Sequence, residues 1–220
     1  MKRKTHLLII ALILSGILAG ILICSAISAL TGFSLFSGKP KDTASAGTQQ
    51  NAELITLAYR ALENIRDGDF YALSQIVHPE FGVVFTPGAT INLVTDRRFG
   101  AEQIAVLGAD GADEEIYIWG VHNDSGEPIE LTPSGYIEQY VSAGEFLEAS
   151  VIGVNQVVRS GNALENITDV FPDVVFVDFY LSVNVKESQE EYDWSSLRLG
   201  FEEHKGDLRL IVIVHSTWTP

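Results

Sequence analysis

Two ionisable side chains in the C-terminal half of the chain have the chemistry of an acid–base site. His215 follows the apolar segment IVIV, and a histidine in an apolar cavity can transfer a proton near neutral pH. Asp178 is the lone charge in the segment VFVDFY, where loss of hydration would raise its pKa as a general base requires. Each also has a commoner structural interpretation, a core histidine for His215 and a solvent-facing edge-strand aspartate for Asp178.

The end of the chain predicts a β-hairpin that would position these groups. Residues 197–201 alternate between apolar and polar side chains, and residues 208–214 form a second, more apolar strand. A two-residue turn at residues 206–207 would join them, because glycine readily takes the positive φ of a tight turn. In that register Phe201 pairs with Val212.

One face of the predicted hairpin has the composition of a ligand pocket. Arg198 and His215 share this face in the predicted register, so both are candidate ligand-binding residues. Trp119 and Trp218 are further candidates, since an indole ring can stack on a flat or sugar-like ligand. The commoner role of such tryptophans, Trp194 included, is to close the rim of a small sheet with the indole N–H bonded locally.

We expect neither a metal nor a cofactor. His78 stands before Pro79 and Glu80, where the imidazole of His78 is expected to serve the carbonyl groups at the end of a helix. The acidic loop at residues 110–115 offers oxygen ligands but lacks the spacing of a calcium loop. Cys24 is the single cysteine and lies in an apolar N-terminal segment, so a cysteine-based zinc site is excluded from the remainder.

The charge distribution argues against two classes of partner. The whole chain carries a formal charge of −15, and residues 1–42 hold five basic side chains and one acidic one. The remaining residues therefore carry −19. A domain this acidic repels phosphate backbones and anionic lipid head groups, so we expect no nucleic-acid binding and no electrostatic docking on membranes.

The N-terminus predicts a membrane anchor. Residues 7–30 form an uncharged run of 24 residues, long enough as a helix to cross a hydrocarbon core of about 30 Å. Three basic residues precede it. The positive-inside rule then predicts a single-pass signal anchor over residues 1–31 in the cell membrane, with a cytoplasmic N-terminus and an extracytoplasmic domain. The run is also longer than the apolar region of most cleaved signal peptides.

Two processing alternatives remain open beside the anchor. Cys24 could be lipidated, although it follows Ile23 where that processing needs a small side chain. The sequence Ala44-Ser45-Ala46 matches a signal-peptidase site but lies well beyond the apolar run. Residues 32–50 are rich in small and polar side chains and predict a flexible linker.

The order of predicted elements favours an α+β domain over residues 51–220. A helix with one apolar stripe is predicted at residues 51–66, and Asp69 is the expected N-cap of a second helix. Shorter strands follow, and the hairpin comes last. Helices first and strands last predict N-terminal helices packed on one face of a curved antiparallel sheet, the whole preceded by one transmembrane helix.

Both ends of this domain resemble the nuclear-transport-factor-2-like (NTF2-like, cystatin-like) superfamily. The opening reads AYRALENIRDGDFYALSQIVHPEFGVVFTP, with its GDF-x-AL step and VHPE-x-GV entry into the sheet, and the closing stretch reads DWSSLRLGFEEHKGDLRLIVIVHSTW. Within the domain, two shorter motifs resemble a group of uncharacterised membrane-anchored or lipoprotein-type bacterial envelope proteins. They are Trp119-Gly120…Gly126-Glu127-Pro128-Ile129 and Ser196-Leu197-Arg198-Leu199. The resemblance implies a conical α+β fold. It carries over no catalytic residues, because the superfamily holds both enzymes and binding modules.

The predicted membrane anchor and the acidic composition together predict a non-catalytic module at the cell envelope. Such a module would bind a ligand or assemble with another envelope protein. The alternative is a small-molecule acid–base enzyme of the isomerase or cyclase type, using a pocket inside the cone. An open pocket holding His215, Arg198 and a carboxylate would favour the enzyme. An interior filled by side chains such as Phe201 and Trp218 would favour the binding module.

Overall fold

The structure, a computed structural model, describes residues 43–109, 111–122, 124–182 and 193–218. The predicted membrane span at residues 7–30 and Cys24 lie outside the described residues. Among the residues that are described, no helix is both long enough and apolar enough to cross a membrane.

The first helix, α1 (Thr43–Arg66), begins earlier than the sequence predicts. Its start lies eight residues inside the stretch that was predicted to be linker, and the compact unit that contains the sheet begins at Thr48. Gly68, at a φ of 69°, follows the helix, and Asp69 caps α2 (Phe70–Ser74) through a 2.8 Å bond accepted from the Ala72 amide. That predicted N-cap is confirmed. From Leu54 onward one face of α1 is fully buried, at Leu54, Ala58, Ala61, Leu62 and Ile65.

Within the described residues, eight strands follow, with four further short helices between them. The strands are β1 (Val83–Thr86), β2 (Arg97–Phe99), β3 (Tyr117–Val121), β4 (Pro128–Leu131), β5 (Val151–Val154), β6 (Val175–Ser182), β7 (Trp194–His204) and β8 (Asp207–Thr217). The helices are α3 (Ala101–Ala105), α4 (Pro133–Tyr136), α5 (Ala143–Phe146) and α6 (Ile167–Val170). A 3-10 turn covers Ala112–Glu114 and a π-helical turn covers Ile137–Val141.

Six of the strands form one mixed sheet in the order β2-β1-β8-β7-β6-β5. The β1–β8 pair is parallel and the other pairs are antiparallel, so the prediction of a wholly antiparallel sheet is wrong at that one pair. Strands β3 and β4 form a separate antiparallel pair. The α+β class is as predicted.

The main sheet is covered on both faces. On one face, Leu197, Leu199 and Phe201 pack in a large core with the buried stripe of α1. On the other face, Val212 and Val214 pack with residues of the segment between β5 and β6. Leu199 and Val212 are both fully buried and α1 lies against the sheet, as the sequence predicts.

The terminal hairpin has a different register from the predicted one. Its two-residue turn is formed by Lys205 and Gly206, at φ values of 55° and 91°, rather than by residues 206–207. This turn pairs Phe201 with Leu210 instead of Val212. Beyond that pair, a β-bulge between Gly200 and Phe201 inserts one extra residue on β8, so Gly200 pairs with Val212. Because side chains alternate along a strand, the one-residue bulge changes which residues of β7 and β8 share a face, whereas the turn shift of two residues in the pairing does not.

Candidate functional site

The predicted pocket around Arg198 and His215 does not form. His215 pairs with Leu197, whose side chain lies in the α1-facing core, while Arg198 pairs with Val214 on the opposite face. Arg198 and His215 therefore point to different sides of the sheet. The β-bulge, which the sequence pattern did not reveal, is the physical reason that Arg198 and His215 lie on opposite faces.

His215 lies at the end of the α1-facing side, in contact with polar neighbours. Its Nε2 is 3.1 Å from the Ser195 hydroxyl, and the ring of Tyr140 meets the imidazole edge-on at 5.7 Å between centroids. No described residue hydrogen-bonds its Nδ1. Burial lowers the pKa of His215, and an interaction with the Pro87 backbone partly opposes that shift. The imidazole is thus neutral at pH 7 and capable of accepting a proton.

The surroundings of His215 leave little room for acid–base chemistry. A nucleophile and its base need a third group that orients the base, together with space for a substrate. Tyr140, beside His215, belongs to an aromatic stack: the ring centroids of Trp119 and Tyr136 are 4.0 Å apart, and those of Tyr136 and Tyr140 are 4.9 Å apart. The other predicted base, Asp178, pairs directly with Arg198 on the far side of the sheet.

Asp178 is fully buried on β6, an inner strand between β5 and β7, so the expectation of a solvent-facing residue on an edge strand is wrong. Its Oδ1 accepts a 2.7 Å hydrogen bond from the Ser196 hydroxyl, and its Oδ2 accepts one of 2.7 Å from the Val158 amide. Strand β5 pairs with the edge of β6 that was expected to be open to solvent, and β5 and the chain that follows it cover this carboxylate.

Arg198 joins two carboxylates in this buried cluster. Its Nη1 lies 2.6 Å from Glu165 Oε2 and its Nη2 lies 3.5 Å from Asp178 Oδ2. The guanidinium also lies over the ring of Phe176, at 5.6 Å. Since Arg198 and Asp178 have no accessible surface, a ligand cannot touch them in this conformation. The cluster ties the segment between β5 and β6 to the sheet and therefore has a structural role.

Of the candidate tryptophans, Trp119 is excluded as a ligand contact because it is fully buried. Its indole N–H donates a 2.9 Å bond to the Leu131 carbonyl, as expected for a residue that closes a small sheet. Trp194 is buried as well. Trp218 is half-buried and stays a prediction as a binding residue.

His78 holds a turn, although not in the way expected. Its Nδ1 accepts a 2.9 Å hydrogen bond from the Phe81 amide instead of serving helix carbonyls. The neutral ring then carries its proton on Nε2, which removes the lone pair a metal would need there.

In the acidic loop, Asp113 accepts hydrogen bonds from the Ser134 amide and hydroxyl at the start of α4. Across the described ranges, no group of three His, Cys, Asp or Glu side chains could hold a metal ion.

A polar surface groove was not predicted from the sequence. It has a volume of about 550 Å³ and lies between α1, the end of α2 and the start of β8. An adjoining groove of about 420 Å³ shares Gln75 and Arg209 with it and reaches the exposed ring of Tyr71. We call the first of these the α1–β8 groove; its lining residues are Glu53, Thr56, Leu57, Arg60, Gln75, Ile76, Asp207, Leu208 and Arg209.

The α1–β8 groove was missed because its two arginines lie far apart in sequence. Arg60 comes from the polar side of α1 and Arg209 from β8, and neither belongs to a motif. Neither this groove nor the adjoining one is lined by His215 or Asp178.

Comparison with known proteins gives relatives of fold only. No protein-family model matches the chain, and no functionally curated protein matches it. Among solved structures it is similar to an NTF2-like protein with a cystatin-like fold from Novosphingobium aromaticivorans, at 14% identity and a TM-score of 0.38, over 83% of this chain and 91% of the other.

Two other solved structures are similar to the chain. An NTF2-like protein of unknown function from Pseudomonas putida is 11% identical, with a TM-score of 0.31, over 77% of this chain and 87% of the other. Aln2 from a Streptomyces species is 14% identical, with a TM-score of 0.36, over 77% and 90%. NTF2-like proteins are thus among its structure neighbours, as the resemblance predicts. Because these three TM-scores are all below 0.5, the likeness carries no argument about the site.

Proposed function

We propose that the chain is a non-catalytic binding or assembly module of the cell envelope, anchored by its N-terminal helix, that binds another envelope protein through its outer surface. The observation that carries this proposal is the filling of the α1-facing side of the sheet. Large aromatic side chains occupy the space where a conical domain would hold a substrate, among them the fully buried Phe85, Phe99, Phe179 and Phe201.

The fate of the ionisable candidates supports the same proposal. Arg198 and Asp178 neutralise each other inside the protein, and His215 is separated from both by the sheet. A binding module needs accessible surface instead. The described surface offers the α1–β8 groove as well as exposed large apolar side chains, including Tyr71, Val94 and Ile116.

The predicted anchor determines where in the cell this binding surface would be located. The 24-residue apolar run, preceded by three basic residues, supports a domain held close to the outer side of the cell membrane. Tethering raises the local concentration of the domain near other envelope proteins, so a modest affinity suffices for assembly.

Site-directed photo-crosslinking of the full-length chain in cells tests the proposal. A benzophenone amino acid is placed at one exposed position at a time, at Tyr71, Val94, Ile116 or Val151. We expect at least one position to give a discrete adduct with an envelope protein. Absence of any protein adduct from all four positions would contradict the binding function.

The enzyme alternative keeps one observation in its favour, the 3.1 Å contact between His215 and Ser195. If the purified full-length chain turns over a small molecule, and His215→Gln abolishes that turnover while the fold is retained, catalysis replaces binding as the function. The matched control is Tyr140→Phe, which keeps the ring beside His215 and removes only a hydroxyl group.

A further inference from the structure

We propose that the α1–β8 groove binds an extended peptide segment of the partner protein, which pairs with the open backbone edge of β8 at Leu208 and places a carboxylate on Arg60. This inference rests on the proposed binding function and names the site and the chemistry of its ligand.

The open edge follows from the hydrogen bonds of the neighbouring residue. The Leu210 amide donates to the Ile76 carbonyl at 2.8 Å, and the Leu210 carbonyl accepts from the His78 amide at 3.0 Å. Both backbone groups of Leu210 therefore point away from β7. Successive residues of a strand direct these groups to alternate sides, so those of Arg209 face β7 and those of Leu208 face the groove.

The hairpin turn leads to the same conclusion independently. His204 and Asp207 are the pair that closes the two-residue turn, and such a closing pair exchanges hydrogen bonds across the hairpin. Leu208 is the next residue, so its amide and carbonyl point outward. Within the described part of the chain, neither group has a hydrogen-bond partner. An unpaired donor and acceptor at a sheet edge are what an added strand recognises.

The charged residues of the groove indicate which charged group the bound peptide segment carries. Arg209 is already engaged, since its Nη1 donates to the Gln75 carbonyl at 2.7 Å and its Nη2 lies 2.9 Å from Asp207 Oδ2. Arg60 is exposed and makes no ion pair with a described residue, so it is the cation available to a ligand. Glu53, the acidic residue of α1 in the groove, lies seven residues earlier, about 10 Å along the helix axis.

A peptide fits these features better than a small anion does. A free carboxylate could use Arg60 but would leave the Leu208 donor and acceptor unpaired. The adjoining groove continues past Gln75 and Arg209 to Tyr71, an aromatic residue of the kind enriched in protein interfaces. An extended chain can occupy the edge, the cation and this aromatic side chain together.

The test uses the full-length chain in mild detergent and a display library of random linear peptides. We expect the selected peptides to carry Asp or Glu and to bind Arg60→Glu at least about tenfold more weakly, because a charge-assisted bond is replaced by repulsion. The matched control is Arg66→Glu, the same charge reversal on the same helix outside the groove, which should change the dissociation constant by less than about twofold.

Amide exchange gives a second readout that needs no variant. In the free chain the Leu208 amide should exchange much faster than those of Arg209 and Leu210, and a selected peptide should slow it. Peptides that bind Arg60→Glu unchanged and leave Leu208 unprotected would overturn this site while the binding function stands. A library that yields no binder, or acetate that reproduces the Leu208 protection by itself, would overturn the peptide proposal.

Discussion

At the scale of single residues, the buried Arg198 cluster shows that charged residues can suggest a functional site in the sequence and yet have a structural role in the folded protein. An arginine and two carboxylates brought out of water are costly unless each is paired. Here every acidic oxygen of Asp178 has a donor, and the guanidinium lies between Glu165 and Asp178. The charged residues can be read from the sequence, but only the pairing register of β6 against β7 shows that Arg198 and Asp178 neutralise each other.

The first prediction concerns the removal of one member of this cluster. Asp178→Ala leaves Arg198 with one acidic partner and leaves the Val158 amide and the Ser196 hydroxyl without their acceptor. We expect the free energy of unfolding to fall by about 3–5 kcal/mol in urea denaturation. The exposed Asp173→Ala should change it by less than about 0.5 kcal/mol. A loss below about 1 kcal/mol for Asp178→Ala would show that the cluster does not stabilise the fold.

The second prediction concerns His215 and pH. Burial lowers its pKa in the folded state, so the folded chain binds the proton less readily than the unfolded chain. The free energy of unfolding should therefore fall as pH drops below the ordinary histidine value of 6.5. His215→Gln should reduce this loss, which melting temperatures at pH 7.5 and 5.5 can measure. Tyr140→Phe should retain it, because burial raises the pKa of Tyr140 further above this range. Equal pH dependence in His215→Gln and the parent chain would contradict the assignment.

At the scale of elements, local patterns predicted what lies within an element but not how elements pair. The apolar stripe of α1 and the Asp69 cap follow from periodicity and side-chain chemistry, and both are present. Strand β2 was missed because its three residues, Arg-Arg-Phe, contain no readable alternation. The early start of α1 was missed because small polar residues are compatible with both a linker and a helix.

The hairpin shows most clearly where such patterns stop being informative. Lys205-Gly206 and Gly206-Asp207 are both acceptable turn pairs, and the pattern cannot choose between them. The bulge after Gly200 adds a second ambiguity, since it exchanges faces along the rest of β8. The candidate site depended on this register, so it could not be predicted from the same residues that predicted the strands.

The third prediction tests the turn itself. Lys205 adopts a positive φ of 55°, which a lysine side chain disfavours and an asparagine tolerates. Lys205→Asn should raise the free energy of unfolding by about 0.5–1 kcal/mol, because Asn-Gly suits this turn type. Lys205→Ala serves as the control for lost charge. It should give no gain, since the contact with Glu80 is exposed and 3.9 Å long. No gain from Lys205→Asn would show that the turn is not strained.

At the scale of the whole molecule, the packed core and the acidic composition are compatible with the proposed location at the cell envelope. The residues after position 42 carry a formal charge of −19, which is expected to oppose aggregation and to repel anionic head groups. In the proposed function, attachment to the membrane comes from the apolar segment at residues 7–30, since the acidic surface is not expected to supply it. Cationic residues are scarce on this domain, which is why we propose the exposed Arg60 as the place where an acidic partner segment binds.

The fourth prediction is the orientation of the chain in the membrane. Three basic residues before the apolar run favour a cytoplasmic N-terminus, which places everything after residue 31 outside. Protease added to intact cells should remove the domain, whereas a short epitope tag placed at residue 1 should survive until the cells are lysed. Replacing Lys2, Arg3 and Lys4 by glutamate and adding lysines after residue 31 should reverse the pattern in at least part of the population, because the charge bias sets the orientation. Complete protection of the parent domain in intact cells, with digestion after lysis, would place the domain in the cytoplasm and end the proposal of an envelope partner.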